Sequence, residues 1–139
     1  MIKTYHLLRL AFTLFLTCEI FFTSNAHDFE HNGIFYNIIN NIDKTVEVTY
    51  KGITPGEHTD IYTQHVTIPS SVTFDNCTYS VSRIGYAAFE NCTKLTSVTI
   101  PESITEIRLL AFDECTNLTS INIPNSVTII ENGAFENCI

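Results

Sequence analysis

The stretch AFENC at residues 88–92 returns as AFDEC at 111–115 and again as AFENC at 134–138. Its cysteines, Cys92, Cys115 and Cys138, therefore stand 23 residues apart. A gapless alignment of 88–110 with 111–133 gives twelve identities in 23 positions. The apolar positions coincide: Leu95 with Leu118, Val98 with Ile121, Ile100 with Ile123, Ile104 with Val127 and Ile107 with Ile130. The phase also runs backwards, with Val81 and Ile84 in the slots of Ile104 and Ile107. One such unit is too short to bury its own apolar face. Neighbouring units must stack into coils that share a continuous core.

Spacing inside the period gives the shape of one coil. LTSVTI (95–100) and LTSINI (118–123) alternate apolar and polar residues, which predicts short strands with one buried face. Pro101 and Pro124 follow, and proline has no N–H for a ladder, so the chain turns there. SITEI and SVTII read as a second extended stretch, and the AFxxC segments as a helical turn at most. The fold class is mostly β: a solenoid of short strands joined by helical or 3-10 turns.

Upstream the spacing changes. Pro69 to Ala88 spans 19 residues against ten from Pro101 to Ala111, and the excess falls around VTFDNCTYSV. Asp and Asn tolerate positive φ, so Asp75-Asn76 predicts a two-residue hairpin turn that sets Phe74 opposite Cys77 and Val72 opposite Tyr79. This hairpin would extend from the first coil and cap the open end of the stack. A second hairpin is expected within 33–64: FYNII, a turn around Asn40-Asn41, then TVEVTYKG, with Val46, Val48 and Tyr50 on the buried face. TPGEHTD (54–60) reads as a surface loop, with His58 and His65 as isolated loop residues.

The pattern LxxVxIPxxIxxIxxxAFxxC at period 23 resembles the BspA-like, or Treponema pallidum-type, leucine-rich repeats of bacterial surface proteins. GIFYNIINNIDKTVEVTY (33–50) is similar to the extended opening segment of such proteins in Bacteroides-type bacteria, and HVTIPSSVTFDNCTYSVSRIGYAAF (65–89) to their first repeat. The resemblance implies a surface protein that adheres to host matrix proteins or to other cells.

The N-terminus fits export. MIKTYHLLR carries Lys3 and Arg9, LAFTLFLTCEIFFT is apolar but for Glu19, and Ser24-Asn25-Ala26 offers small residues at a cut. This order predicts a secretory signal peptide over 1–26, cleaved after Ala26. Glu19 makes a stable membrane span costly. A lipid on Cys18 would want a small residue before it, where Thr17 stands. The expected organisation is a signal peptide (1–26), an N-terminal β-hairpin and capping region (27–80) and about two and a half repeats (81–139). The chain has a net charge of −8 with only seven Lys and Arg, which argues against a nucleic-acid partner. No second long apolar run follows the leader.

Candidate chemistry is sparse. Stacked equivalent residues lie roughly 4.8 Å apart with side chains parallel, whereas a disulfide wants converging Cβ atoms about 3.8 Å apart. The periodic cysteines are therefore expected to pack as small apolar groups. No CxxC pair occurs and no histidine shares the period, so no metal site is expected. His27 and His31 would suit a metal only on a helix, and they sit beside the cleavage site. No phosphate loop, HExxH or GxSxG is present, and no catalytic residue or cofactor is expected. Asn76-Cys77-Thr78, Asn91-Cys92-Thr93 and Asn117-Leu118-Thr119 match a glycosylation pattern, but the repeat itself generates them, with Cys92 and Leu118 on core positions. The expected interaction face is the strand row: Ser97 and Thr99 beside Thr96, then Ser120 and Asn122 beside Thr119.

These readings point to a secreted or cell-surface, non-catalytic interaction or adhesion module with a protein partner. A secreted carbohydrate-binding protein or enzyme accessory module, using the acidic residues Asp28, Glu30, Asp43, Glu47, Glu57 and Asp60, is the alternative from another class. Residue 139 falls in the middle of a repeat. This leaves two further expectations: self-association through an open C-terminal edge, or a truncated piece of a longer array.

Overall fold

The structure is a computed structural model and describes residues 27–56 and 60–138. The predicted leader and its cleavage point, Cys18, and His58 lie outside the described residues. Among the described residues no helix is long and apolar enough to cross a membrane.

Among the described residues nine strands form two sheets: β1 (Phe29–His31), β2 (Ile34–Asn40), β3 (Thr45–Thr49), β4 (Gln64–Thr67), β5 (Ser71–Phe74), β6 (Cys77–Ile84), β7 (Leu95–Thr99), β8 (Glu106–Ile107) and β9 (Ile129–Ile130). The larger sheet runs β1-β2-β3-β6-β8-β9, with β5 on β6, and the smaller is β4-β7. Coil-to-coil pairings are parallel: β3 on β6, β6 on β8, β8 on β9 and β4 on β7. The cap and the β5–β6 hairpin pair antiparallel. The core between these faces includes Tyr36, Val46, Val48, Ile84, Phe89, Leu95, Ile104, Ile107 and Phe112, all fully buried.

The Asp75-Asn76 hairpin forms in the predicted register, with Phe74 opposite Cys77 and Val72 opposite Tyr79. Both turn residues take positive φ, 48° and 60°, the turn whose twist matches paired strands. The 34–49 hairpin also forms. Asn40 Oδ1 accepts from the N–H of Ile42 and of Asp43, and Lys44 closes the turn at φ 52°. Its alternation departs from expectation at the end. Thr49 is buried and Tyr50 only half-buried, because the Thr49 carbonyl accepts the hydroxyl of Tyr62 packed over it. The strand that covers the first coil is β3, lying on β6, so the cap is built from the 34–49 hairpin as well as from the one at 71–84.

Two expectations need correction. LTSINI is not a full strand: it retains a single parallel bridge, Thr99 to Asn122. Ile121 there is half-buried and Ile123 exposed, so the burial that holds β7 flat is weaker. AFxxC, read as a helical turn, is a corner of tight turns, and no helix occurs among the described residues. The reason is in its hydrogen bonds. The N–H groups of Ala88, Glu90 and Cys92 reach back within the coil, to Gly85, Ala87 and Phe89. Those of Ala87, Phe89 and Asn91 cross to the next coil, to Leu109, Ala111 and Asp113. This alternation needs a left-handed residue on each side of the phenylalanine. Ala87, Leu110 and Gly133 supply one (φ 50°, 56°, 65°), and Asn91, Glu114 and Asn137 the other (φ 58°, 56°, 54°).

Inside the corner the phenylalanines stack. Phe89 and Phe112 are 4.9 Å apart at 4°, and Phe112 and Phe135 are 5.1 Å apart at 4°. The thiol of Cys115 donates to the Phe89 carbonyl and that of Cys138 to the Phe112 carbonyl, each at 3.1 Å. The thiols therefore cap carbonyls of the preceding coil as well as filling space. Burial pushes Cys92 up to about 11 and raises Cys115 and Cys138 too, so all three stay protonated and poorly nucleophilic. Cys77, Cys92, Cys115 and Cys138 are free.

Candidate interaction face

The smaller sheet carries the predicted face, and the structure adds a residue to it. His65 pairs with Ser97, Val66 with Val98 and Thr67 with Thr99. Val66 and Val98 point inward and are buried, so His65, Thr67, Ser97 and Thr99 share the outer surface. His65, expected in a loop, lies on β4 and is the centre of the group. Its Nδ1 is 2.7 Å from Ser97 Oγ, and its Nε2 is 3.0 Å from Thr67 Oγ1 and 3.4 Å from Thr99 Oγ1. The sequence held the signal: HVTIP (65–69) aligns with SVTIP (97–101), which puts His65 in the slot of Ser97.

The other predicted residues fall in or beside this row. Thr96 is exposed, but its hydroxyl donates to the Gln64 carbonyl and so staples β4 to β7. Asn122 continues the row through its bridge to Thr99, and Thr119 and Ser120 are exposed next to it. These positions hold no Asp, Glu, Lys or Arg and are dense in hydroxyl, imidazole and amide groups. Their chemistry is hydrogen bonding. Ser97 and His65 approach like a nucleophile and a base, but the other imidazole nitrogen meets threonine hydroxyls, where the Ser-His-Asp arrangement places a carboxylate.

The opposite face of the stack carries charge, which sequence reading missed. Glu47, Arg83 and Glu106 lie side by side on β3, β6 and β8. Glu106 Oε2 is 3.3 Å from Arg83 and 3.3 Å from Arg108, and Glu131 Oε1 is 3.0 Å from Arg108 Nε. Arg83 Nε has no aligned hydrogen bond, so its contact with Glu106 is attraction between charges. Burial raises the Glu47 carboxyl above its ordinary value, partly offset by Arg83 and Arg108. Half-exposed pairs of this kind are worth about 0–1 kcal/mol each, so the ladder fixes coil register more than it stabilises. Glu57 lies outside the described residues, and Asp28, Asp43 and Asp60 have separate partners. Asp28 caps the Ile38 N–H, Asp43 accepts from Asn40 and Asp60 holds Lys94. Among the described residues no group of three His, Cys, Asp or Glu is placed to hold a metal. The ring of His27 lies 4.6 Å from that of Phe35, tilted by 60°, and His31 lies on β1.

Stacked parallel coils with a buried aromatic spine and a polar strand row define a leucine-rich-repeat solenoid. Residues 64–139 match the family described as BspA type leucine rich repeat region, six copies, and the chain belongs to that family. The structure is similar to a leucine-rich repeat protein from Bacteroides ovatus (32% identity, TM-score 0.64), with 81% of this chain and 33% of that one covered. It is similar to a leucine rich cell surface protein from Faecalibacterium prausnitzii (31% identity, TM-score 0.55), with 73% and 26% covered. A leucine-rich repeat protein from Bacteroides capillosus also matches (26% identity, TM-score 0.56), with 75% and 87% covered. The chain thus spans about a third of the Bacteroides ovatus protein and about a quarter of the Faecalibacterium prausnitzii one. No functionally curated protein matches it. The family is generally non-enzymatic, and its repeats generally mediate protein–protein contacts.

Proposed function

We propose that this chain is a protein-binding segment of an exported, surface-displayed repeat protein, and that it contacts an adhesion partner through the strand row of β4 and β7. The observation that carries this reading is the cluster of His65 with Thr67, Ser97 and Thr99. It is a hydrogen-bonding surface held rigid on a parallel ladder that the coils repeat. The N-terminal leader pattern and the cell-surface relative from Faecalibacterium prausnitzii support export. Residues 27–80 act in this reading as the cap and residues 81–139 as the repeats. The test is a solid-phase binding panel of extracellular matrix proteins, run beside a glycan array. Saturable binding to a matrix protein, abolished by Ser97→Lys with Thr99→Lys, is the expected result. Strong sugar binding indifferent to these changes would replace the reading with the carbohydrate-binding alternative.

A further inference from the structure

Among the described residues strand β4 has one strand partner, β7. Gln64 and Ile68 donate their N–H groups to Lys94 and Thr99 on the β7 side. Main-chain groups alternate along a strand, so the N–H and C=O of His65 and Thr67 point to the other edge. Among the described residues no strand lies there. The strand that covers the first coil, β3, lies on β6, in the other sheet. Natural edges are usually blunted by charge or by proline. Gln64–Thr67 holds no Asp, Glu, Lys or Arg, and Pro69 comes only after the outward pair.

We propose that the free edge of β4 receives an extended peptide segment of a protein partner as an added strand. The added strand would use the mode in which main-chain hydrogen bonds hold the peptide and alternate side chains select it. The pairing of Val66 with Val98 and of Thr67 with Thr99 defines what fits. That is a β-branched apolar residue in register with Val66, flanked by small hydroxyl-bearing residues in register with His65 and Thr67. Gln64–Thr67 offers no Asp, Glu, Lys or Arg to pair with an acidic or basic segment. The proposal goes beyond the face reading, because the face uses side chains of β4 and β7 and the edge uses the backbone of β4.

The probe is a synthetic peptide of residues 93–101 (TKLTSVTIP), the segment that already pairs with β4 on its inner side, added to the full chain. Amide exchange at His65 and Thr67 should be fast in the free chain and slow by about tenfold or more with peptide, while Val66 and Ile68 stay unchanged. Thr67→Pro deletes an outward N–H and spares the β7 ladder, so this variant should fold and take up no peptide. The proposal is overturned if His65 and Thr67 are already as protected as Val66. It is equally overturned if the peptide leaves both unchanged, or if folded Thr67→Pro binds like the unaltered chain. Should Thr67→Pro not fold, the exchange experiment decides alone. Loss of matrix binding by the Ser97 and Thr99 variants with intact peptide uptake separates the face from the edge.

Discussion

The ring of Tyr62 lies 4.6 Å from that of Phe89 at 48°, where the aromatic spine passes from parallel stacking to a tilt. Its hydroxyl accepts from the Phe35 N–H at 3.1 Å and donates to the Thr49 carbonyl at 2.9 Å. One side chain thus closes the phenylalanine column and ties both strands of the cap hairpin to it.

Tyr62→Phe keeps the ring and leaves a buried N–H and a buried C=O without this partner. The cost should be about 1–3 kcal/mol. Tyr62→Ala also opens a cavity, and about 3–5 kcal/mol is expected for an aromatic of this size. Urea denaturation of the full chain measures both. Equal stability of Tyr62→Phe and the unaltered chain would show that the bridge does not hold the cap.

Gly85 should resist any side chain. Its N–H donates to the Val48 carbonyl at 2.8 Å, and an added Cβ would sit 2.7 Å from that same oxygen. One coil later the equivalent position is Arg108, and the next is Glu131. Gly85→Ala should therefore loosen β3 from β6, seen as faster amide exchange in 45–49, whereas Arg108→Ala should leave those amides alone. Unchanged exchange in Gly85→Ala would mean that the cap accommodates the methyl group.

Phe112 has an aromatic ring on both sides, and Phe135 only on one. Phe112 is fully buried and Phe135 half-buried. Phe112→Ala should cost about 3–5 kcal/mol, and Phe135→Ala clearly less. Thermal unfolding of the two variants compares them. The reverse order would contradict the spine as the main packing element.

Stability should rise on mild acidification through Glu90. Its carboxyl is raised above the ordinary 4.5, first by burial and then by Asp113 and Glu114. A raised carboxyl binds more protons folded than unfolded, so folding gains as pH falls through the raised value. Glu90→Gln should therefore melt higher than the unaltered chain at pH 7, with the difference vanishing as pH drops below 4.5. Asp60 has the opposite sign. Hydrogen bonds from Lys94 and Thr93 hold it below its ordinary value, so its contribution is lost as pH falls through that lowered value. Melting curves of Glu90→Gln and Asp60→Asn between pH 3 and 7 should diverge in opposite directions.

Much of this architecture was legible because the period repeats it. The 23-residue spacing placed Ile104, Ile107, Phe89 and Phe112 in the core, and Asp75-Asn76 set its hairpin register to the residue. The corner was not legible. Leu110 and Glu114 are poor candidates for positive φ, and they adopt it because hydrogen bonds to the neighbouring coils outweigh local preference. The charged row was hidden for a related reason, since Glu47 belongs to the cap and meets Arg83 only once β3 docks on β6. On the strand row, Ser97 and Thr99 were found by alternation. Alternation does not reach His65, whose segment reads as a loop, although VTIP at 66–69 repeats VTIP at 98–101.

The alternating corner has a consequence for how such a chain can change. Its contacts between coils run from main chain to main chain, at an offset that Ala87, Leu110 and Gly133 share. Copying or deleting one whole unit re-creates the same seam on both sides, as translation does in a lattice. Adding a single residue would throw every later left-handed position out of step. Such a chain can evolve in length by quanta of one coil, while the cap, with Tyr62 and Gly85, stays a singular part with no second copy.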